Sequence, residues 1–157
     1  MVKRCCFTGH RTVPAEKYIR TMQRLRQNVL KLYTEGYRVF NTGGALGFDT
    51  MAAQAVLKLK ENFPDVKLHL YLPHKQQAEK WAPQDRAVYE YIKSISDKVV
   101  YSSEGYTPMC MNSRNRALVD NADLCIAYCT DTTGGTVYTV NYALDNGVDV
   151  INLAAEV

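Results

Sequence analysis

The chain has 157 residues, of which 46% are hydrophobic and 22% charged, and its formal net charge is +3. This length suits one domain with a sizeable core, and no stretch approaches the roughly 18 apolar residues that a membrane helix requires. The opening MVKRCCFTGH does not fit a signal peptide. The five cysteines form no C-x-x-C pair, so we expect a reduced, cytoplasmic protein without a metal site.

Positive charge is concentrated near the start of the chain. Residues 1–40 contain nine Lys or Arg and two acidic residues. Five of the basic residues fall on one predicted helix: Lys17, Arg20, Arg24, Arg26 and Lys31. Two interpretations stay open, a solvated helix face or a surface for nucleic acid or an acidic partner.

Apolar runs alternate with helical patterns along the whole chain. The predicted strands are Lys3–Gly9, Tyr37–Gly43, Val66–Pro73, Asp97–Ser103, Ala122–Cys129 and Val148–Leu153. The predicted helices are Ala15–Glu35, Phe48–Glu61, roughly Gln84–Ser96, Met109–Asn121 and Thr136–Asn146. Because the strands are apolar on both faces and joined by helices, we predict an α/β three-layer sandwich with a mostly parallel sheet of about six strands.

Ligands of such sheets bind beyond the carboxyl ends of the strands, where the strand order reverses. That rule selects four segments: Thr8–Arg11, Thr42–Asp49, Tyr101–Tyr106 and Thr130–Thr136. The first, FTGHR, places Thr8, Gly9, His10 and Arg11 at a strand end, as a surface loop or as part of a site.

Two of these segments are glycine-rich turns. TGGALGFD (Thr42–Asp49) contains Gly43, Gly44, Gly47 and Asp49, but it matches neither the dinucleotide fingerprint nor a P-loop. It is therefore either a phosphate-side turn or a tight corner. DTTGGT (residues 131–136) offers an acid, three hydroxyls and two glycines, a composition that favours binding of an anion. Its candidates are Asp131, Thr133, Gly134, Gly135 and Thr136.

Two further basic residues, Arg114 and Arg116 with Asn115 between them, follow in SRNRALVDNAD. They are either a surface arginine pair or part of a site, because the helix should begin beside the same crevice. A guanidinium there could bind phosphate through two hydrogen bonds. Arg114 and Leu118 are four residues apart and share a helix face. One tyrosine near a strand end, Tyr101, Tyr106 or Tyr128, could stack on a base.

Together, TGGALGFD, SRNRALVDNADLCI and GGTVYTVNYALDNGVDVI resemble the Rossmann-like domain shared by the DprA and LOG ("lonely guy") proteins of the SLOG superfamily. The opening CCFTGHR resembles more specifically the small bacterial YpsA-like family. The resemblance covers nearly the whole chain and implies one Rossmann-like domain over residues 1–157, often dimeric or in a higher homo-oligomer. It implies phosphate-side turns at Gly43, Gly44, Gly47 and at Gly134–Thr136, with Arg114 as the family's arginine.

The resemblance also implies a departure from LOG enzymes, which use P-G-G-x-G-T-x-x-E with a catalytic glutamate. In this chain Thr133 replaces the proline, one glycine is missing, and Thr139 stands in place of the glutamate. A threonine cannot act as a carboxylate acid, which argues against LOG-type hydrolysis unless Asp131 or Glu104 substitutes.

Three functional hypotheses follow. The first is binding or sensing of a nucleotide or nucleotide derivative, ADP-ribose- or NAD-like, with no required cofactor. The second is a phosphoribohydrolase (N-glycosidase) of nucleoside monophosphates. The third is DprA-like binding of single-stranded DNA, for which the basic helix is the main support.

Overall fold

The computed structural model describes residues 2–157 and contains a single six-stranded sheet. Its strands are β1 (Lys3–Gly9), β2 (Tyr37–Thr42), β3 (Lys67–Leu72), β4 (Lys98–Tyr101), β5 (Leu124–Tyr128) and β6 (Asp149–Asn152). Its α-helices are α1 (Ala15–Thr34), α2 (Phe48–Asn62), α3 (Pro83–Ile95), α4 (Cys110–Asp120) and α5 (Gly135–Asp145). A short 3-10 helix, Leu153–Ala155, follows β6. Every predicted element is present, with ends shifted by one or two residues in most cases.

The sheet order is β4-β3-β2-β1-β5-β6, and all five strand pairings are parallel. The chain proceeds outward from β1 to β4 and then crosses back to place β5 beside β1. The strand order therefore reverses between β1 and β5, which is where a ligand site is expected in this kind of sheet. The predicted α/β sandwich with a parallel sheet is confirmed.

Helices cover the sheet on both faces, and the first strand shows how. Cys5 belongs to the core under α1, α2 and α3, whereas Cys6 belongs to the core under α4 and α5. Successive strand side chains point to opposite faces, so the two adjacent thiols contribute to different cores. All five cysteines are free.

The basic residues of α1 lie at its surface, and two of them contact the end of the chain. Lys17 Nζ donates to the Val157 carbonyl at 3.4 Å, and Arg24 Nε is 3.7 Å from a Glu156 carboxylate oxygen. Within residues 2–157, no helix combines the length and apolar character needed to cross a bilayer. In the same part of the chain, no group of three His, Cys, Asp or Glu side chains is placed to hold a metal ion.

Candidate functional site

A pocket of about 330 Å³ lies at the carboxyl ends of β1 and β5. Twelve predicted residues line it: residues 8–11, Asp49, Arg114, Asn115, Asp131 and residues 133–136. It is at the lower end of the size range of small-molecule sites. The sheet order explains why these residues share one pocket, because β1 and β5 are neighbours although more than 110 residues separate them in the chain.

The start of α5 supplies potential anion donors to this pocket. Gly134 is the N-cap, with a φ of +109°, and no side chain caps the helix. Residues 133–135 are exposed, so the first backbone N–H groups of α5 remain available to a ligand, and the helix dipole favours negative charge there. Thr139 is fully buried and donates to the Gly135 carbonyl at 2.8 Å. The Thr139 hydroxyl is therefore already hydrogen-bonded within α5.

Arg114 lies at the buried side of the pocket. It is 5% exposed; Nη1 donates to the Gly43 carbonyl at 2.6 Å, and Nε donates to Asn115 Oδ1 at 2.8 Å. Burial lowers the pKa of Arg114, and the nearby Asp49 opposes that effect. A Cβ on Gly43 would lie 2.7 Å from Arg114 Nη1 and 2.9 Å from Asp49 Oδ2. Glycine at position 43 is what allows the two charged groups to approach this turn.

Asp49 is the second buried charged side chain of the pocket, with 6% exposure in the first turn of α2. Its Oδ2 accepts from the Ala45 N–H at 3.2 Å, while its Oδ1 is buried without a partner. Burial raises the pKa of Asp49 to about 6, although the positive charge of Arg114 and the Ala45 N–H lower it. The carboxyl group can thus change protonation state near neutral pH.

The exits of β1, β2 and β5 are connected by direct contacts. His10 Nε2 accepts from the Thr130 N–H at 2.8 Å, and the Phe48 N–H donates to the His10 carbonyl at 3.1 Å. Gly47 has a φ of +76°, and a Cβ there would overlap the Arg11 carbonyl. The backbone of the glycine-rich turn therefore lies directly against the β1 exit.

Several candidates are not among the residues that line the pocket. Gly43, Gly44 and Gly47 lie behind it, where they contact Arg114, Leu72 and Arg11 respectively. Glu104 follows β4 at the edge of the sheet, with its side chain 87% exposed and 3.0 Å from Lys75 Nζ. The sheet order separates it from β1 by two strands.

Four lining residues were not predicted as site residues: Ala45, Met111, Asn112 and Leu118. Helical spacing indicates two of them, because Met111 and Leu118 lie three residues before and four residues after Arg114 and so share its face. Ala45 and Asn112 carry no comparable signal.

The family model YpsA, described as the YspA SLOG family, matches residues 7–149. The chain belongs to this family. The resemblance stated from the sequence is confirmed, and the matched range includes both glycine-rich turns and Arg114.

Relatives of this YpsA-family chain are found among Bacillus proteins. A UPF0398 protein of Bacillus licheniformis is 30% identical over 122 residues, which cover 76% of this chain and 67% of the relative. The uncharacterized SPbeta prophage-derived protein YoqJ of Bacillus subtilis is 28% identical over 141 residues, covering 78% of this chain and 82% of the relative.

Two solved structures of DNA processing protein A (DprA) have a similar fold. The Streptococcus pneumoniae protein gives a TM-score of 0.70 at 17% identity, covering 95% of this chain and 49% of its own. The Helicobacter pylori protein, whose structure is described as revealing a unique single-stranded DNA binding mode, gives 0.69 at 18%, covering 94% of this chain and 63% of its own. The YpsA-family chain spans less than two thirds of either DprA chain, and at these identities the likeness shows the fold alone.

Proposed function

We propose that this protein binds a nucleotide or nucleotide derivative in the pocket between the ends of β1 and β5. The observation that carries the proposal is the combination of two kinds of group in one pocket. The uncapped start of α5 and Arg11 favour a phosphate, while Asp131 places an exposed carboxyl group in the same pocket. A ribose hydroxyl can donate to the Asp131 carboxylate. A nucleotide contains both a phosphate and sugar hydroxyls.

The surroundings of the pocket favour a ligand with two phosphates, such as ADP-ribose or NAD. A second hollow of about 470 Å³ shares His10, Arg11 and Asp131 with the pocket and extends to Lys17. The two cavities are therefore adjacent, and each is lined by a basic residue. A diphosphate could place one phosphate at α5 and the other near Lys17.

Thermal unfolding with AMP, ADP-ribose, NAD and 2′-deoxy-AMP tests this proposal. A ligand at a hundredfold its dissociation constant adds about 2.7 kcal/mol to the free energy of unfolding. In a domain of this size that corresponds to a rise in Tm of roughly 5–10 °C. We expect the largest rise with ADP-ribose or NAD. The absence of any rise with all four compounds at millimolar concentration would contradict the proposal.

Single-stranded DNA binding is a second candidate, favoured by the fold shared with DprA and by the exposed basic residues of α1. Binding that depends on several phosphates weakens steeply with salt. A short oligonucleotide titrated at 50 and 200 mM salt should therefore lose affinity much more than ADP-ribose does. Retained nucleotide binding with no oligonucleotide binding at low salt would exclude this candidate.

The phosphoribohydrolase hypothesis stays a prediction and can be tested in the same mixtures. Asp131 and Asp49 are the two carboxyl groups that line the pocket, and Asp49 is the buried one. Chromatographic analysis of incubated AMP would reveal free adenine if either group supports turnover. An Asp131→Asn variant with unchanged release would point to Asp49.

A further inference from the structure

A second cavity, which we call the aromatic hollow, lies at the same edge of the sheet after β3 and β4. Its volume is about 410 Å³, and the rings of His74, Trp81 and Tyr106 line it. Tyr106 is 70% exposed, and its ring meets that of His74 edge-on at 5.9 Å. Lys80 and Glu79 also line the hollow, so it carries no excess of positive charge and is not an anion site by itself.

The rings of the aromatic hollow are held by defined contacts. Trp81 packs edge-on against the buried Tyr89, with ring centroids 5.2 Å apart. His74 Nδ1 accepts from the Gln76 N–H at 3.2 Å, which fixes the orientation of the imidazole. Two contacts join the loop after β3 to the loop after β4. The Lys75 N–H donates to the Glu104 carbonyl at 3.3 Å, and the Lys75 ammonium pairs with the Glu104 carboxylate at 3.0 Å. These contacts hold the lining residues of the hollow in place.

The double glycine of the second strand's turn separates the hollow from the pocket. The Gly43 carbonyl accepts from Arg114, and Arg114 lines the pocket. The Gly44 carbonyl accepts from Gln77 Nε2 at 3.3 Å, and Gln77 lines the hollow. Neighbouring strands lie about 4.8 Å apart. The ends of β1 and β3, with β2 between them, are therefore separated by roughly 10 Å.

We propose that the aromatic hollow is a second subsite, which stacks a nucleobase of a ligand whose phosphate lies in the pocket at β1 and β5. The proposal rests on the proposed function for the position of that phosphate and goes beyond it by assigning a separate site to a ring. Aromatic side chains stack on any base, since each base has a π-face. The ligand is accordingly one that carries a base beyond the double glycine, as a dinucleotide or a single strand does.

Trp81 is the only tryptophan of the chain, so its fluorescence reports directly on the hollow. We would titrate the protein with AMP, NAD and a ten-residue oligodeoxyadenylate. The base that enters the hollow should quench Trp81, and Tyr106→Ala should weaken binding of the quenching ligand roughly 5- to 100-fold. Tyr91→Ala is the matched control, because Tyr91 is a 63% exposed tyrosine of α3 that does not line the hollow.

The outcomes separate this proposal from the proposed function. Quenching by NAD identifies a dinucleotide ligand, and quenching by the oligonucleotide alone identifies a single strand. The subsite proposal is wrong if a ligand raises Tm but leaves Trp81 fluorescence unchanged, and if Tyr106→Ala and Tyr91→Ala bind that ligand with equal affinity. The proposal for the pocket would then still stand. If no compound binds by either measurement, both proposals are wrong. Quenching that is lost in Tyr106→Ala but survives Gly135→Asp supports the subsite and counts against phosphate binding at α5.

Discussion

The first helical residue of α5, Gly135, provides the most direct test of anion binding in the pocket. A Cβ there would lie 3.8 Å from Asn115 Nδ2, an ordinary contact, and Gly135 is not among the glycines with positive φ. Gly135→Asp should therefore fold. An acidic residue in the first turn of a helix stabilises it by about 0.3–1 kcal/mol, so we expect Tm to stay level or rise.

The same carboxylate would lie beside the phosphate that we place at this helix terminus. Two like charges 4 Å apart repel by about 1 kcal/mol in water and about 4 kcal/mol at an effective dielectric constant of 20. Because residues 133–135 are exposed, we expect about 1–3 kcal/mol, a roughly 5- to 150-fold loss of affinity for ADP-ribose. Added salt should reduce this loss.

Calorimetric titration of Gly135→Asp and its neutral isostere Gly135→Asn measures the effect of charge alone. Gly135→Asn should bind nearly as well as the unmodified chain. If the Asp and Asn variants bind ADP-ribose within twofold of each other, the ligand phosphate does not lie at the start of α5, and the reasoning from the uncapped helix is wrong.

Two further predictions concern the buried parts of the site. Burial raises the pKa of Asp49 from 3.8 to about 6, so the folded chain binds this proton more tightly, and the ionised group destabilises the fold increasingly as pH rises from about 4 to 6. Relative to Asp49→Asn, the unmodified chain should lose up to about 3 kcal/mol of unfolding free energy between pH 4 and 7. If the unfolding free energies of the two proteins change equally with pH over that range, the prediction is wrong. Gly47→Ala should cost several kcal/mol more than Gly147→Ala, because both glycines have a φ of +76° but only at Gly47 would the Cβ meet backbone, that of Arg11. Equal urea unfolding midpoints for Gly47→Ala and Gly147→Ala would refute the close contact between Gly47 and Arg11.

Local pattern was sufficient to predict the elements of this fold. The strands are apolar on both faces, and this property is visible in short runs such as Lys3–Gly9, whose predicted limits match β1. Strand β4 is shorter than predicted, ending at Tyr101 rather than Ser103. At its other end, Asp97 lies outside the strand, where its carboxylate accepts from Lys60 and from the Leu68 N–H. Such tertiary contacts are not visible in a local pattern.

Which residues come together in the pocket could be predicted only in part. The rule that ligands bind at the carboxyl ends of strands selected the end of the sheet where the pocket lies, but it could not show which strands would be neighbours. Position beside β1 brings the β5 loop into the pocket, whereas the edge position of β4 removes Glu104 from it. The bond from Arg114 to the Gly43 carbonyl joins residues 71 apart in the chain. Nothing in either local sequence indicates that contact.

The packing at the β1 exit also explains why the first glycine-rich motif does not match a standard nucleotide fingerprint. In the dinucleotide-binding fold, the phosphate sits at the helix that directly follows β1. Here the carbonyls after β1 face α2, since His10 accepts from the Phe48 N–H and Arg11 lies against Gly47. Helix α1 begins only at Ala15, after Pro14 as its N-cap, and contributes no residue to the pocket. Gly47, after β2, is needed for this close packing. In the function that we propose, the backbone donors for the phosphate would therefore come from the start of α5, which follows the neighbouring strand β5 at the point of reversal.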